Sequence, residues 1–434
     1  MATSASNARH LRQLACVALG LLLFAALAWI DSARAASAEQ QARARSAAAS
    51  AKFAAVAAPT ATHGEPSPTE DPRITLGRKM FFDPNLSVPR GTSCASCHDP
   101  KRALAGGNAV KLGVAHGSRA DRFARRNTPS LLYLRFVRPF HLEWEEEAPL
   151  PEAFGGFFWD GRANTVAEVA SQPLLNPNEM GNPSKLHIAE TLHASSYASE
   201  LAAEFDHVFD APEKTVDALG FCLEAFLTSP TLAPFSSKFD SYVRGEAQLS
   251  PLEREGLALF DDRDKGACSS CHKFDPSSHE PERSLFTDYG YETVAIPRNR
   301  ALPSNRDADA FDLGVCERRD ARLHTEDPWF CGAFRTPSLR NVALRPSFMH
   351  SGVFSSLRDV VTFYATRASN PTRWYGRDRF DDLPAKYHEY VNTNAAPYNQ
   401  NEGAPPALSE HEIDAIVSFL GALTDQRLPL VAAP

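Results

Sequence analysis

The chain has 434 residues, 43% of them hydrophobic and 23% charged, with a formal net charge of −8. That length and composition suit a globular protein of about two domains that can bury sizeable cores. No basic run or basic-aromatic stripe occurs, which argues against a nucleic-acid partner, and a mildly acidic surface fits at most a positively charged redox partner.

Residues 1–36 read as a signal peptide. Arg9 and Arg12 precede an apolar run from about Leu14 to Ile30, and the small residues Ser32 to Ala36 follow as a cleavage region. Cys16 stands at the start of the apolar run, which argues against a lipoprotein signal; the alternative is an uncleaved membrane anchor. Cleavage would remove three arginines and one aspartate and leave the mature chain two charges more acidic. The expectation is a periplasmic protein with no stable membrane insertion after cleavage. Residues 37–68, rich in Ala, Ser and Pro without a sustained apolar period, read as a disordered linker.

From about Asp71 the chain reads as helices separated by Pro- and Gly-rich loops, with no runs of alternating β-branched residues. A helix over "ITLGRKMFF" precedes "GTSCASCHDP", residues 91–100, and about 170 residues later "KGACSSCHKF", residues 265–274, repeats its core. Each copy offers two thiols one helical turn apart with an imidazole next in sequence, the c-type haem attachment pattern. The thiols add to the haem vinyl groups and the adjoining histidine is delivered to the iron as its proximal ligand. Cys94, Cys97 and His98 would hold one haem, and Cys268, Cys271 and His272 the other. A zinc site would want four well-spaced ligands, and a structural disulfide gives no reason for a histidine in both copies.

Helices flank both motifs. Val216 to Leu227 closes the first half. In "LSPLEREGLALF", Ser250 is the N-cap, Pro251 the first helical residue and Glu253 the capping-box partner, with Gly256 and Phe260 placed to pack on a neighbouring helix. In "LSEHEIDAIVSFLGAL", Ser409 and Glu412 form the second box, and Ile413, Ile416, Val417, Leu420 and Leu423 one apolar face. A helix ahead of the haem motif crossing a C-terminal helix is the cytochrome c arrangement. The predicted fold class is therefore mainly α: two cytochrome c-like haem domains packed together, 69–230 and 245–426, with long loops and insertions. Cys316 and Cys331 span a loop that an oxidising compartment would close as a disulfide, and Cys222, inside an apolar helix, reads as a buried free thiol.

The stretches "LGRKMFFDPNLS", "RRNTPSL", "FFWDGRA", "PLLNPNEMG", "FRTPSLRNVALRPSFMHSGVFSSLRDVV" and "FYATRASNPTRWY" resemble the bacterial dihaem cytochrome c peroxidase and MauG superfamily, from about Ile74 to Leu423. The resemblance implies a peroxidase that binds hydrogen peroxide at the first haem. It gives Glu179 the role of moving a proton between the peroxide oxygens, Pro173 that of closing the pocket, and Trp159 that of relaying oxidising equivalents between the haems. The sequence departs from many relatives in one respect: Val169 occupies the slot of a distal Gln, so a hydrogen-bond donor is missing unless Gln172 replaces it.

For the second haem, the Met-bearing relatives place their ligand 14 residues after the histidine that is His350 here. That position is Tyr364, where the MauG branch carries an axial tyrosine; Met349 is the alternative. A thioether raises the haem potential, whereas a hard phenolate stabilises oxidised iron. His116 lies in the loop that in some relatives blocks the first haem, with a shifted spacing, so an open first haem is expected. The resemblance also implies calcium between the halves, on the Asn127 side chain and the carbonyls of Arg345 and Ser347, a donor set of the kind calcium takes. "RPS" stands here in place of the usual "TAP".

The favoured reading is a periplasmic dihaem peroxidase of the MauG type that oxidises a partner protein. The rivals are a conventional cytochrome c peroxidase fed by a small cytochrome c or cupredoxin, and a non-catalytic dihaem electron carrier.

Overall fold

The computed structural model describes residues 71–106, 111–144, 150–318, 327–376 and 378–428. The predicted signal peptide and linker lie outside these residues. Helix α1, Pro72–Phe82, starts two residues ahead of the predicted stretch. The Asp71 carboxylate accepts from the Arg73 N–H at 2.9 Å and Pro72 fills the first helical position. A single turn follows at Cys94–Cys97 (α2), then α3 (Val166–Leu175), α4 (Lys185–His193), α5 (Ala198–Glu204) and α6 (Pro212–Leu227). Helix α6 begins four residues before the predicted Val216, because Pro212 and Glu213 suit a first turn.

The second half holds α7 (Lys238–Val243), α8 (Pro251–Asp261), α9 (Leu357–Thr366), α10 (Thr372–Tyr375) and α11 (Glu410–Gly421). Both predicted capping boxes are present. Ser250 N donates to Glu253 at 2.6 Å and Ser409 N to Glu412 at 2.7 Å, and each serine hydroxyl accepts the reciprocal bond. Among the described residues, strands are confined to two short antiparallel pairs. Strand β1 (His141–Glu143) pairs with β2 (Glu152–Phe154), and β3 (Tyr291–Glu292) pairs with β4 (Phe334–Arg335). The fold of the described residues is thus mainly helical with long loops, and no helix among them is long and apolar enough to cross a membrane.

Two hydrophobic cores organise these elements within one compact unit. The first runs from Leu76 to Phe235 and the second from Phe239 to Leu423. Each is centred on a helix crossing that only glycine permits. A Cβ on Gly77 of α1 would stand 2.0 Å from the Cys222 carbonyl of α6, and a Cβ on Gly256 of α8 would stand 2.0 Å from the Ala415 carbonyl of α11. One turn on, Phe81 meets Phe226 with ring centroids 5.6 Å apart, and Phe260 meets Phe419 at 5.4 Å. Burial of each such ring contributes about 1.5–3 kcal/mol. The two crossings therefore match residue for residue, and Cys222 is a buried free thiol as expected.

Polar bonds tie the cores together. The buried Asp425 carboxylate accepts from the Tyr133 hydroxyl and from the Asn341 amide, each at 2.6 Å. A smaller apolar cluster, Ala153, Val315, Phe330 and Ala333, packs beside the disulfide between Cys316 and Cys331.

Candidate haem sites and the residues between them

At the first motif, Ser93 and Ser96 form a capping box that winds Cys94–Cys97 into one helical turn. The His98 N–H then bonds the Cys94 carbonyl at 2.9 Å. At the second, Cys268–Ser270 form a tighter 3₁₀ turn, and the His272 N–H reaches the Cys268 carbonyl at the same 2.9 Å. None of these four cysteines is in a disulfide.

The two histidines are oriented alike. His98 Nδ1 lies 2.9 Å from the Leu104 carbonyl and His272 Nδ1 lies 3.1 Å from the Phe286 carbonyl. A carbonyl only accepts, so Nδ1 carries the proton and Nε2 keeps the lone pair that a metal would use. Burial pushes both imidazoles down to about 4, so they are neutral at neutral pH. The carbonyl-bearing residues are left-handed, Leu104 at φ 54° and Phe286 at φ 55°. The hydroxyls of Ser130 and Ser338 hold the preceding carbonyls of Ala103 and Leu285, both at 2.7 Å. These serines belong to a repeated Thr-Pro-Ser-Leu, residues 128–131 and 336–339, the signal in the sequence that could have revealed this supporting layer.

Each motif lines its own cavity. The first cavity is bounded by Cys94, Cys97, His98, Val169, Pro173 and Glu179, the second by Cys268, Cys271, His272, Met349 and Tyr364. A haem suits the second cavity on an independent ground: Arg335 Nη1 and His350 Nε2, both on its wall, are buried without a hydrogen-bond partner. An orphaned guanidinium nitrogen in a closed site calls for an acceptor of negative charge, which the carboxylates of a haem provide.

The predicted catalytic residues assemble on the first cavity. Burial raises the Glu179 carboxyl above its usual 4.5, while Arg162 and a bond to Asn176 pull the other way. Arg162, which sequence reasoning did not single out, lines the same wall. Its position follows from Gly161, at φ 67°, where a Cβ would stand 1.9 Å from the Tyr291 hydroxyl oxygen. His116 does not line either cavity; its Nδ1 bonds the Gly117 carbonyl at 3.0 Å.

Trp159 lines both cavities, together with Phe158 and Arg335. Its indole Nε1 donates to the Asn127 carbonyl at 2.7 Å, and its own carbonyl accepts from Arg335 N at 2.8 Å. The Asn127 side chain faces across to the other half. Its Nδ2 donates to the carbonyls of Ser347 at 3.0 Å and Met349 at 3.1 Å, and its Oδ1 accepts from the Ser347 hydroxyl at 3.2 Å.

The expected calcium donors do not fit that ion in this arrangement. The Asn127 amide presents nitrogen, not oxygen, to the carbonyls. Beside it the Arg345 guanidinium, buried without a carboxylate and pushed down to about 10 by that burial, donates to the Thr128 carbonyl at 2.9 Å. Calcium takes oxygen ligands, which the amide nitrogen is not, and a neighbouring cation opposes it.

Tyr364 and Met349 both face the cavity of His272. Tyr364 projects from helix α9, and burial raises its hydroxyl above the usual range. Met349 lies in a loop at φ 66°, with its carbonyl held by Asn127.

Residues 71–248 match the family described as di-haem cytochrome c peroxidase. The methylamine utilization protein MauG of Paracoccus denitrificans is 34% identical over 376 residues, covering 83% of this chain and 90% of that protein. The cytochrome c551 peroxidase of Pseudomonas aeruginosa is 29% identical, covering 68% of this chain and 72% of its own. Among solved structures, the diheme peroxidase BthA of Burkholderia thailandensis superposes with a TM-score of 0.79 at 47% identity, over 85% of this chain and 89% of that one. A BthA variant with a tyrosine changed to methionine superposes with a TM-score of 0.80.

Proposed function

The chain belongs to the MauG and dihaem cytochrome c peroxidase family, an enzyme with peroxidase activity and two c-type haems, and we propose that it acts in the MauG manner. In this reading it reduces hydrogen peroxide at the first haem and shares the oxidising equivalents with a second, Tyr-ligated haem, from which a partner protein is oxidised. The haems supply the redox chemistry; the residues of this chain hold and tune it. Two cytochrome c-like domains, 69–230 and 245–426, carry them. A signal peptide (1–36) and a linker (37–68) would take the protein to the periplasm.

His98 and His272 would hold the two haem irons, each oriented by a backbone carbonyl. Glu179, made a stronger base by burial, takes a proton from one peroxide oxygen and delivers it to the other, and Pro173 limits the space beside it. Trp159 stands between the cavities as the relay. Tyr364, whose hydroxyl burial keeps protonated, would give the second haem a hard anionic oxygen on losing that proton to the metal, which would favour stored oxidising equivalents over easy electron uptake. His116 is outside the first cavity, which supports an open site there. Calcium has no part in this reading, since Asn127, Arg345 and Ser347 already hold the junction with hydrogen bonds.

The observation that carries the proposal is Tyr364 on the cavity wall of His272. Met349 on the same wall supports the second reading, a conventional peroxidase that detoxifies hydrogen peroxide with electrons from a small cytochrome c or cupredoxin. One equivalent of hydrogen peroxide added to the diferric protein decides between them. A long-lived absorption band in the near infrared, lost in Glu179→Gln, supports shared storage. A species without that band, discharged at once by ferrocytochrome c, establishes the conventional peroxidase.

A further inference from the structure

Val169 removes a polar side chain from helix α3 and packs on the first core instead. Gln172, one turn on, does not restore the donor. Its Oε1 accepts from Arg162 Nε at 2.8 Å, and its Nε2 is directed to the Glu168 carbonyl at 3.5 Å. The wall of the first cavity nonetheless holds a stronger donor, the Arg162 guanidinium. Three contacts fix it: the Gln172 bond, Nη1 to both Asp160 oxygens at 2.9 and 3.1 Å, and stacking on the Phe158 ring at 3.6 Å from the centroid. Asp160 is buried and anchored in turn by Arg126 at 2.5 Å. After these bonds the Nη2 hydrogens have no partner among the described residues.

We propose that Arg162 is the distal hydrogen-bond donor of the first site, presenting Nη2 to an anionic ligand or oxidant bound there, with Gln172 and Asp160 as its positioning residues. The inference rests on the reading of the first cavity as the peroxide site. Arg162 moves no proton and no electron, because a guanidinium stays charged throughout. It stabilises negative charge as that charge develops on oxygen, as a fixed donor at the rim of the cavity whose side chain is 36% exposed. Its charge also reaches Glu179 and favours the ionised, proton-accepting carboxylate.

Anion binding tests this without turnover. Fluoride and cyanide are titrated into the diferric holoprotein, read by absorption at the first haem, for wild type, Arg162→Gln, Arg162→Lys and Gln172→Leu. Hydrogen bonds to charged groups are worth about 1.5–3 kcal/mol, so Arg162→Gln should weaken fluoride binding by roughly 10- to 100-fold. Arg162→Lys should recover part of that loss. Gln172→Leu, which frees one of the three anchors, should weaken binding several-fold, and it carries the test if Arg162→Gln does not load haem. Fluoride affinity unchanged in Arg162→Gln, or in Gln172→Leu where that variant stands in, overturns the role of Arg162 and leaves the peroxide site intact. A wild-type protein that binds neither anion overturns both.

Discussion

The indole Nε1 of Trp159 donates to the Asn127 carbonyl at 2.7 Å, and the same Asn127 bonds across to Ser347 and Met349. Trp159, which lines both haem cavities, is therefore fixed by a residue that joins the two halves. Trp159→Phe keeps an aromatic ring but leaves the buried Asn127 carbonyl without its donor, at a cost of about 1–3 kcal/mol. Both haems should load, and the first should still react with peroxide. Shared storage should fail, so the near-infrared band should be absent. A band of wild-type intensity in the variant would remove Trp159 from the relay.

The identity of the second haem's ligand is decided by potential. Tyr364→Met should raise the midpoint of that haem by on the order of 0.1 V, because a thioether favours the reduced iron that a phenolate disfavours. Met349→Leu should leave it unchanged. Spectroelectrochemical titration of both variants measures this, and the reverse pattern would make Met349 the ligand.

Glycine at the helix crossings is required by distance. In Gly256→Ala the new Cβ meets the Ala415 carbonyl at 2.0 Å and the Phe419 Cβ at 2.8 Å, so α8 and α11 must separate. The expected loss is about 2–3 kcal/mol, seen as a lower denaturation midpoint with an unchanged slope. Gly421→Ala, with nothing within 4 Å of its Cβ, should stabilise slightly, since alanine is the better helix former. Equal effects at the two sites would show that helix propensity, not packing, governs position 256.

What was legible in the sequence is what is local. A capping box closes within four residues, as at Ser250 and Ser409, and a haem motif within five, so Cys94 to His98 and Cys268 to His272 could be read directly. The crossing glycine Gly256 was legible because it follows a helix start at a fixed offset. What escaped depends on chain brought together from far apart. The bond of Arg126 to Asp312 spans 186 residues, and the Leu104 and Phe286 carbonyls orient their histidines through left-handed backbone that no side chain announces. Arg162 stands within the FFWDGRA stretch, yet its role depends on Gln172 and Asp160 converging on it. The short β pairs were missed because two or three residues show no alternation.

Calcium removal should be silent. The junction bonds from Asn127 to Ser347 and Met349, and from Arg345 to Thr128, need no cation, so dialysis against a calcium chelator should leave the melting temperature and visible spectrum as they were. A fall in either that added calcium restores would show that the Asn127 amide turns its oxygen to an ion after all.

The acid stability of the protein should depend on Asp312. Burial alone would raise this carboxyl, but Arg126, bonded to it at 2.6 and 2.7 Å, more than offsets that and, with His350 and Arg125, holds it well below the usual 3.8. The native state therefore binds fewer protons here than the unfolded chain just below that ordinary value. The contribution is fully present above about pH 4–5 and is lost as pH falls below it. Asp312→Asn should cost about 3 kcal/mol at pH 7, since it leaves buried Arg126 with one partner fewer. It should also flatten the decline in stability between pH 5 and pH 3. Denaturant unfolding of the holoprotein at those pH values measures both effects. A wild-type acid slope in the variant would place the titrating group elsewhere in the cluster, with Asp160, which also pairs with Arg126, the next to substitute.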